Sequence, residues 1–468
     1  MRRSLIISLL LTTAVCPAVA GAGAGVERRP ISVVSDLIER AGEGETVLVP
    51  PGIYQGALRL RKAVVLDGGG RCAIFDGMGE GTVIEVVAEG VTIRGCVVRG
   101  SGEDVTGEPA GIRVLAGGAT IEGNAIEDAL FGIDLREAPD AVIRHNTISG
   151  KDLEPGRRGD GIRLWWSHGC TVEGNTVRGS RDMVFWYSED LRITRNTVTG
   201  SRYGLHFMYS HGSVLEANEL HGNSVGVYLM YSHGITLRGN RMLNNRGASG
   251  YGIGLKDCDD IAITGNALLA NRVGVYVDNS PSSIGSTGLF EGNTIAFNEI
   301  GLLATPNTHD NVFTNNAFLE NEEPAATHGR GRLVSNAFSR EGVGNYWSDY
   351  AGFDLDGDGV GDMVYEPRSL FGAMLAREPN LRLFVYSPAQ QAVEFTARAL
   401  PELQPESTLV DPSPLTAPPR LELPGFDQRV AGPGMWIIAG SLLAAAGVGA
   451  AVLASQPGLP ARQTGGRA

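Results

Sequence analysis

Gly204-Leu-His-Phe-Met-Tyr-Ser-His-Gly212 recurs as Gly226-Val-Tyr-Leu-Met-Tyr-Ser-His-Gly234, an offset of 22 residues. Looser relatives stand at Gly161-Ile-Arg-Leu-Trp-Trp-Ser-His-Gly169 and at Asp182-Met-Val-Phe-Trp-Tyr-Ser-Glu189. Around them runs a second mark: an Asn before an apolar residue, at Asn124, Asn146, Asn175, Asn196, Asn218, Asn240, Asn266, Asn293, Asn316 and Asn336. Cys72 and Cys96 occupy the same place in two earlier copies. A period near 22 that tolerates insertions marks a solenoid, in which each repeat buries its face only against its neighbours.

Within one repeat, Leu191-Arg-Ile-Thr, Asn196-Thr-Val-Thr and Gly204-Leu-His-Phe alternate apolar and polar residues. Such alternation predicts short strands with Leu191, Ile193, Val198, Leu205 and Phe207 inward. The fold expected is all-β, a right-handed parallel β-helix over 21–340. The repeated Asn residues then form an internal ladder, amide to amide, and are architecture. The 65 glycines and scarce aromatic residues suit short strands joined by tight turns.

Residues 1–20 read as a signal peptide: Arg2-Arg3, an apolar core from Leu5 to Val15, and Ala18-Val19-Ala20 as cleavage site. Cys16 goes with it; the other four cysteines form no CxxC pair, which argues against a zinc site or a dense disulfide framework. Ile31 to Ile38 predicts an amphipathic helix that caps the solenoid, with Ile31, Val34, Leu37 and Ile38 on one face. Glu45 to Tyr54 predicts strand, turn, strand.

A cap is expected over 341–400, with a helix then a strand between Arg368 and Val385 and a helix from Gln390 to Leu400. Residues 401–433, with Pro412, Pro414, Pro418 and Pro419, predict an extended linker. From Met435 to Ala454 there is no charge, so 434–455 is expected to be a single transmembrane helix followed by a short tail, 456–468. The body would be a periplasmic or extracytoplasmic domain on that single anchor, which in the periplasmic case holds it to the inner membrane. A net charge of −13 argues against nucleic acid as a partner.

Stacking the coils makes columns. Trp165, Trp186, Met208 and Met230 form one, and Trp166, Tyr187, Tyr209 and Tyr231 the next. Ser167, Ser188, Ser210 and Ser232 follow, then His168, Glu189, His211 and His233. Thioether and imidazole are soft to intermediate ligands that favour copper in its reduced state. Met208, Met230, His211, His233 and His206 are therefore the candidate copper ligands. Because Met208 and Tyr209 are neighbours, alternation sends one of them inward.

Asp354-Leu-Asp356-Gly-Asp358-Gly-Val360-Gly-Asp362 matches positions 1, 3, 5, 7 and 9 of a calcium loop, Val360 through its carbonyl. Position 12 is Tyr365 and not Glu, and flanking helices are missing from the pattern; a structural calcium is expected there. The competing reading is a β-helix that binds, cleaves or epimerises polysaccharide, with Asp134, Asp160, Lys256, Asp257, His309 and Asp310 as candidates. These are scattered over different coils, so no catalysis is expected. A passive adhesin or scaffold would not need the Met and His columns.

The block Asn345-Tyr-Trp-Ser-Asp-Tyr350, with the Asp354–Asp362 loop and Tyr365-Glu-Pro367 after Met-Tyr-Ser-His-Gly coils, resembles the NosD family over roughly 30–400. The resemblance implies a periplasmic accessory protein for maturation of nitrous oxide reductase. It implies an ABC transporter partner with ATPase and membrane subunits, and copper received from a copper chaperone for assembly of the reductase copper–sulfide centre. It designates no ligands, and it does not require the 434–455 helix.

Overall fold

In the computed structural model, residues 27–420 are described, apart from 330, 376 and 386. The signal peptide (1–20), the transmembrane helix (434–455) and the tail (456–468) expected from the sequence lie outside the described residues. Among the described residues no helix is long and apolar enough to cross a membrane.

Short strands stack into three parallel sheets of 14, 12 and 12 strands, and successive strands within a sheet come from successive coils. This is a right-handed parallel β-helix, the hand expected of parallel crossovers. Alternation works as the sequence predicts. Leu191, Ile193, Val198, Leu205 and Phe207 are buried and join one continuous core. Identical inward positions stack coil on coil: the rings of Phe185 and Phe207 lie 4.6 Å apart, as Phe290 and Phe313 lie 4.4 Å apart. Gly204 allows the coils to close up there, since a Cβ would stand 2.5 Å from the Gly226 carbonyl oxygen.

Turns are held by ladders. Each Asn Oδ1 accepts from both the backbone N–H and the side-chain amide of the Asn one coil earlier; Asn218 does so for Asn196, at 3.0 Å each. Cys96 donates its N–H to Asn124, where the repeat places it. A correction concerns the far end. Asn316 donates to Asn345, while Asn336 receives from Asn311 in a different ladder. Insertions before 345 displace the count, so spacing alone picks the wrong Asn. Another ladder, missed from sequence, runs through Asn223, Asn245, Asn271, Asn298 and Asn321.

The N-terminal helix is Ser32–Arg40, with Val34 and Ile38 buried and Ile31 and Leu37 packed against the core. Strands Thr46–Leu48 and Gly52–Gln55 follow. At the other end Tyr346–Trp347 pairs with Ala317–Leu319, so the solenoid runs beyond 340 into the expected cap. Between Arg368 and Val385 the expected strand is instead a 3-10 helix, Pro379–Phe384, after helix Leu370–Leu375; Pro at its start fits a helix N-terminus better than a ladder. Helix Pro388–Ala399 is N-capped by Ser387, which accepts from Gln390.

The described part of the expected linker also differs. Leu409 and Asp411 are fully buried. Asp411 Oδ2 accepts from the Asn345 N–H at 2.8 Å and from Trp347 Nε1 at 2.9 Å, closing the last rung of the Asn ladder. Proline content signals stiffness; buried donors needing a partner decide where a stiff segment docks.

Candidate functional site

The signature nonapeptides form strands Tyr203–Met208 and Val225–Met230 and the turns after them. Trp165, Trp186, Met208 and Met230 stand in register on adjacent strands, continued by Lys256. They point outward, because Phe185, Phe207 and Leu229, one residue earlier, point into the core. Tyr209 is not inward either. It has φ of 51°, as do Trp166, Tyr187 and Tyr231. A left-handed residue breaks the two-residue alternation, so Met208 and Tyr209 both reach the surface, Tyr209 with 42% exposure. Those four aromatic rings stack with centroids 5.0, 5.3 and 4.9 Å apart.

The serines after them form a buried ladder: Ser188 accepts from the Ser167 N–H, and Ser210 from that of Ser188. Beyond it, the His211 and His233 rings stack 3.9 Å apart, and His211 Nδ1 accepts from the His233 N–H. Burial, and then His233, hold the His211 imidazole below its ordinary pKa. The two histidines thus lie in the turns that follow the strands ending in Met208 and Met230, one residue past the serine ladder.

His206 shares that face, two residues before Met208 and in register with Tyr228. It is only 5% exposed, and neither ring nitrogen has a hydrogen-bond partner among the described residues. Its Nδ1 lies 3.5 Å from Asp182 Oδ2. Asp182 is itself buried and fixed: Arg202 Nε donates to Oδ1 at 3.1 Å, its Nη2 to Oδ2, and the Tyr203 N–H to Oδ1 at 3.0 Å. Burial pushes the Asp182 carboxyl up, but His206 and Arg202 outweigh it and hold the group below its ordinary value. Two aromatic rings stand edge-on to His206, Trp186 at 5.6 Å and Tyr203 at 4.8 Å, and Tyr228 in turn lies 5.5 Å from Tyr203. Asp182 and Trp186 were not among the candidates; only the fold brings them to His206.

The acids of the enzyme reading are committed elsewhere. Asp134 is buried between Arg113, Arg136 and Arg163. Asp160 is bound through both oxygens by Arg181, and burial pushes it up to about 6. Lys256 ends the methionine column, Asp257 accepts from Asn279, and His309 pairs with Asp310 on the surface.

In the Asp loop, one ligand oxygen each of Asp354, Asp356 and Asp358 lies within 4.8 Å of the others. Asp354 accepts from the N–H groups of Gly359 and Gly357, which hold its carboxyl below the ordinary value. Asp362 accepts from the Leu355 N–H across the loop, and Val360 bridges to Leu415.

Fold and site together define a parallel β-helix with a soft-donor, aromatic outer face. The family model described as "Periplasmic copper-binding protein (NosD)" matches residues 145–352, and a right-handed β-helix model matches 82–186. The chain is 33% identical over 374 residues to the "Probable ABC transporter binding protein NosD" of Pseudomonas aeruginosa, covering 76% of this chain and 84% of that protein. It is 31% identical over 396 residues to the protein of the same description from Stutzerimonas stutzeri, covering 80% and 87%. The chain belongs to the NosD family, a family of periplasmic accessory proteins and not of enzymes.

Two solved structures are similar over part of their length. The catalytic domain of an alpha-1,3-glucanase in complex with nigerose is 14% identical, with TM-score 0.49 and coverage of 68% of this chain and 67% of that one. A mutant of the periplasmic alginate epimerase AlgG is 16% identical, with TM-score 0.38 and coverage of 66% and 83%.

Proposed function

We propose that this chain carries copper as cargo on the outer face formed by His206, Met208 and Met230. It works beside an ABC transporter of ATPase and membrane subunits, takes the ion from a copper chaperone, and serves assembly of the copper–sulfide centre of nitrous oxide reductase. The observation that carries the reading is His206: a buried imidazole whose Nδ1 stands 3.5 Å from Asp182 and whose Nε2 has no partner among the described residues, on the same strand face as two register-paired methionines. A buried polar group without a partner is costly and calls for one. A soft ion between the imidazole and two thioethers supplies it, and adjacent strands about 4.8 Å apart put two sulfurs within reach of one ion. The relatives described as ABC transporter binding proteins support the transporter partner. His211 and His233, in the turns after these strands, fall outside this donor set.

The anchor at 434–455 would keep the body beside the transporter at the inner membrane. The loop of Asp354, Asp356, Asp358, Val360 and Asp362 holds a structural calcium that ties the cap together. The domain plan that follows is signal 1–20, β-helix from 21, cap to about 420, then linker, anchor and tail.

Titration of the purified periplasmic body with Cu(I) tests the cargo site. Tighter binding to wild type than to Met208→Ala/Met230→Ala is expected, and equal binding would remove those residues from the site. Deleting the gene should leave nitrous oxide reductase exported without its catalytic copper centre; normal activity in that strain would sink the functional reading.

A further inference from the structure

We propose that Trp186 is the aromatic wall of the cargo site and makes it selective for a soft univalent cation, Cu(I) or its redox-inert analogue Ag(I). The proposal rests on His206, Met208 and Met230 being the donors.

Trp186 is the neighbour of Met208 in the outward column, one strand before it. Its ring is 5.6 Å from that of His206 at an interplanar angle of 88°. Trp186 thus adjoins both donors, His206 by ring contact and Met208 by register, whereas Tyr203, at 4.8 Å from the His206 ring, lies on the side of the strand away from Met208 in sequence. Among side-chain rings the indole face attracts cations most strongly, and the attraction grows when water is excluded. Trp186 Nε1 is buried with no hydrogen-bond partner among the described residues. As mere filler, phenylalanine would cover the column without burying that unpaired N–H, so the position calls for what an indole does better.

The candidate donors at this face are one imidazole, two thioethers and a π-face. The nearby carboxylate, Asp182, is turned to Arg202 and the Tyr203 N–H, and faces the ion only through His206. A carboxylate behind a ligating imidazole fixes its orientation, leaving Nε2 for the metal. Sulfur and imidazole nitrogen suit a soft univalent ion better than a hard divalent ion, which prefers oxygen, or Cu(II), which prefers a tetragonal set of nitrogen and oxygen. A soft univalent ion is satisfied by sulfur, nitrogen and indole.

The test is Ag(I) titration of the full exported chain, followed by indole absorption and fluorescence, with affinity from ligand competition. Trp186→Phe and, as a control on the same column, Trp165→Phe are compared with wild type, each checked for a native circular dichroism spectrum. One equivalent of Ag(I) should perturb the indole spectrum of wild type and of Trp165→Phe. Trp186→Phe should lose that perturbation and bind Ag(I) on the order of 10-fold more weakly, with Zn(II) affinity unchanged. If Ag(I) binds in a Met208- and Met230-dependent manner while Trp186→Phe keeps both spectrum and affinity, the aromatic wall is refuted and the donor set stands. If Ag(I) does not bind wild type, or binds Met208→Ala/Met230→Ala equally well, the donor set and the wall fall together.

Discussion

Asp411 accepts a hydrogen bond from the indole Nε1 of Trp347 at 2.9 Å, although 64 residues separate them. The same carboxylate takes the Asn345 N–H and, through Oδ1, the Ser413 N–H at 3.1 Å. Trp347 stacks between Phe318 and Tyr365, at 4.3 and 4.6 Å, so the pair fastens the returning chain to the end of the core. Asp411→Ala would leave buried donors unpaired, and a loss of about 2–4 kcal/mol is expected from urea unfolding. An unchanged midpoint would show that the segment around 411 does not close the solenoid.

Asn218 sits in the middle of the longest ladder and serves both neighbouring coils. Asn218→Ala removes the acceptor for two Asn196 donors and the donor to the Ile193 carbonyl. We expect a loss of about 2–4 kcal/mol, several times the cost of an exposed Asn such as a surface turn residue. Thermal unfolding followed by circular dichroism checks it.

Glu108 is gripped at both oxygens by Arg163, at 2.9 Å each, and by Arg136 at 2.5 Å. The hydrogen bonds from Arg163 lead in holding its carboxyl down to about 2, from an ordinary value of 4.5. A lowered folded pKa means stability that is present above the unfolded value and lost as pH falls through the folded one. Glu108→Gln should therefore flatten the fall in stability between about pH 4.5 and pH 2. Chemical denaturation at a series of acid pH values measures the slope, and an unaltered slope would remove Glu108 as its source.

Calcium at Asp354, Asp356 and Asp358 would stabilise the cap by mass action, by about 2.7 kcal/mol at a hundredfold excess over Kd. Added calcium should raise the Tm of wild type and leave Asp356→Ala unmoved, and a chelator should reverse the gain. Equal curves with and without calcium would leave the loop as an acidic turn.

The repeat made the fold legible. A 22-residue period with inward Leu205 and Phe207 admits few structures, because neighbouring coils offer the only surface against which such short strands bury their apolar sides. The candidate site was half legible. The columns could be counted, and Met208, Met230 and His206 were in hand. Their faces could not be assigned, because the left-handed Tyr209 and Tyr231 suspend the alternation on which side-chain direction was judged. Asn336 was mistaken for the last rung for a related reason: insertions shift the count while the hydrogen-bond ladder passes to Asn345.

Sequence by itself determined the solenoid, the signature coils, the residue types available to a soft ion and the acidic loop, since each is set by local pattern and composition. Tertiary structure decided which residues meet. It placed His211 and His233 in the turns after the strands of the methionines, and brought Asp182 and Trp186 to His206 across one coil. It also folded Asp411 back onto Trp347 from a stretch whose prolines suggested a free linker. The physical reason is common to all three: a contact between coils depends on register and on which buried polar groups still need a partner, and neither is written in any single repeat.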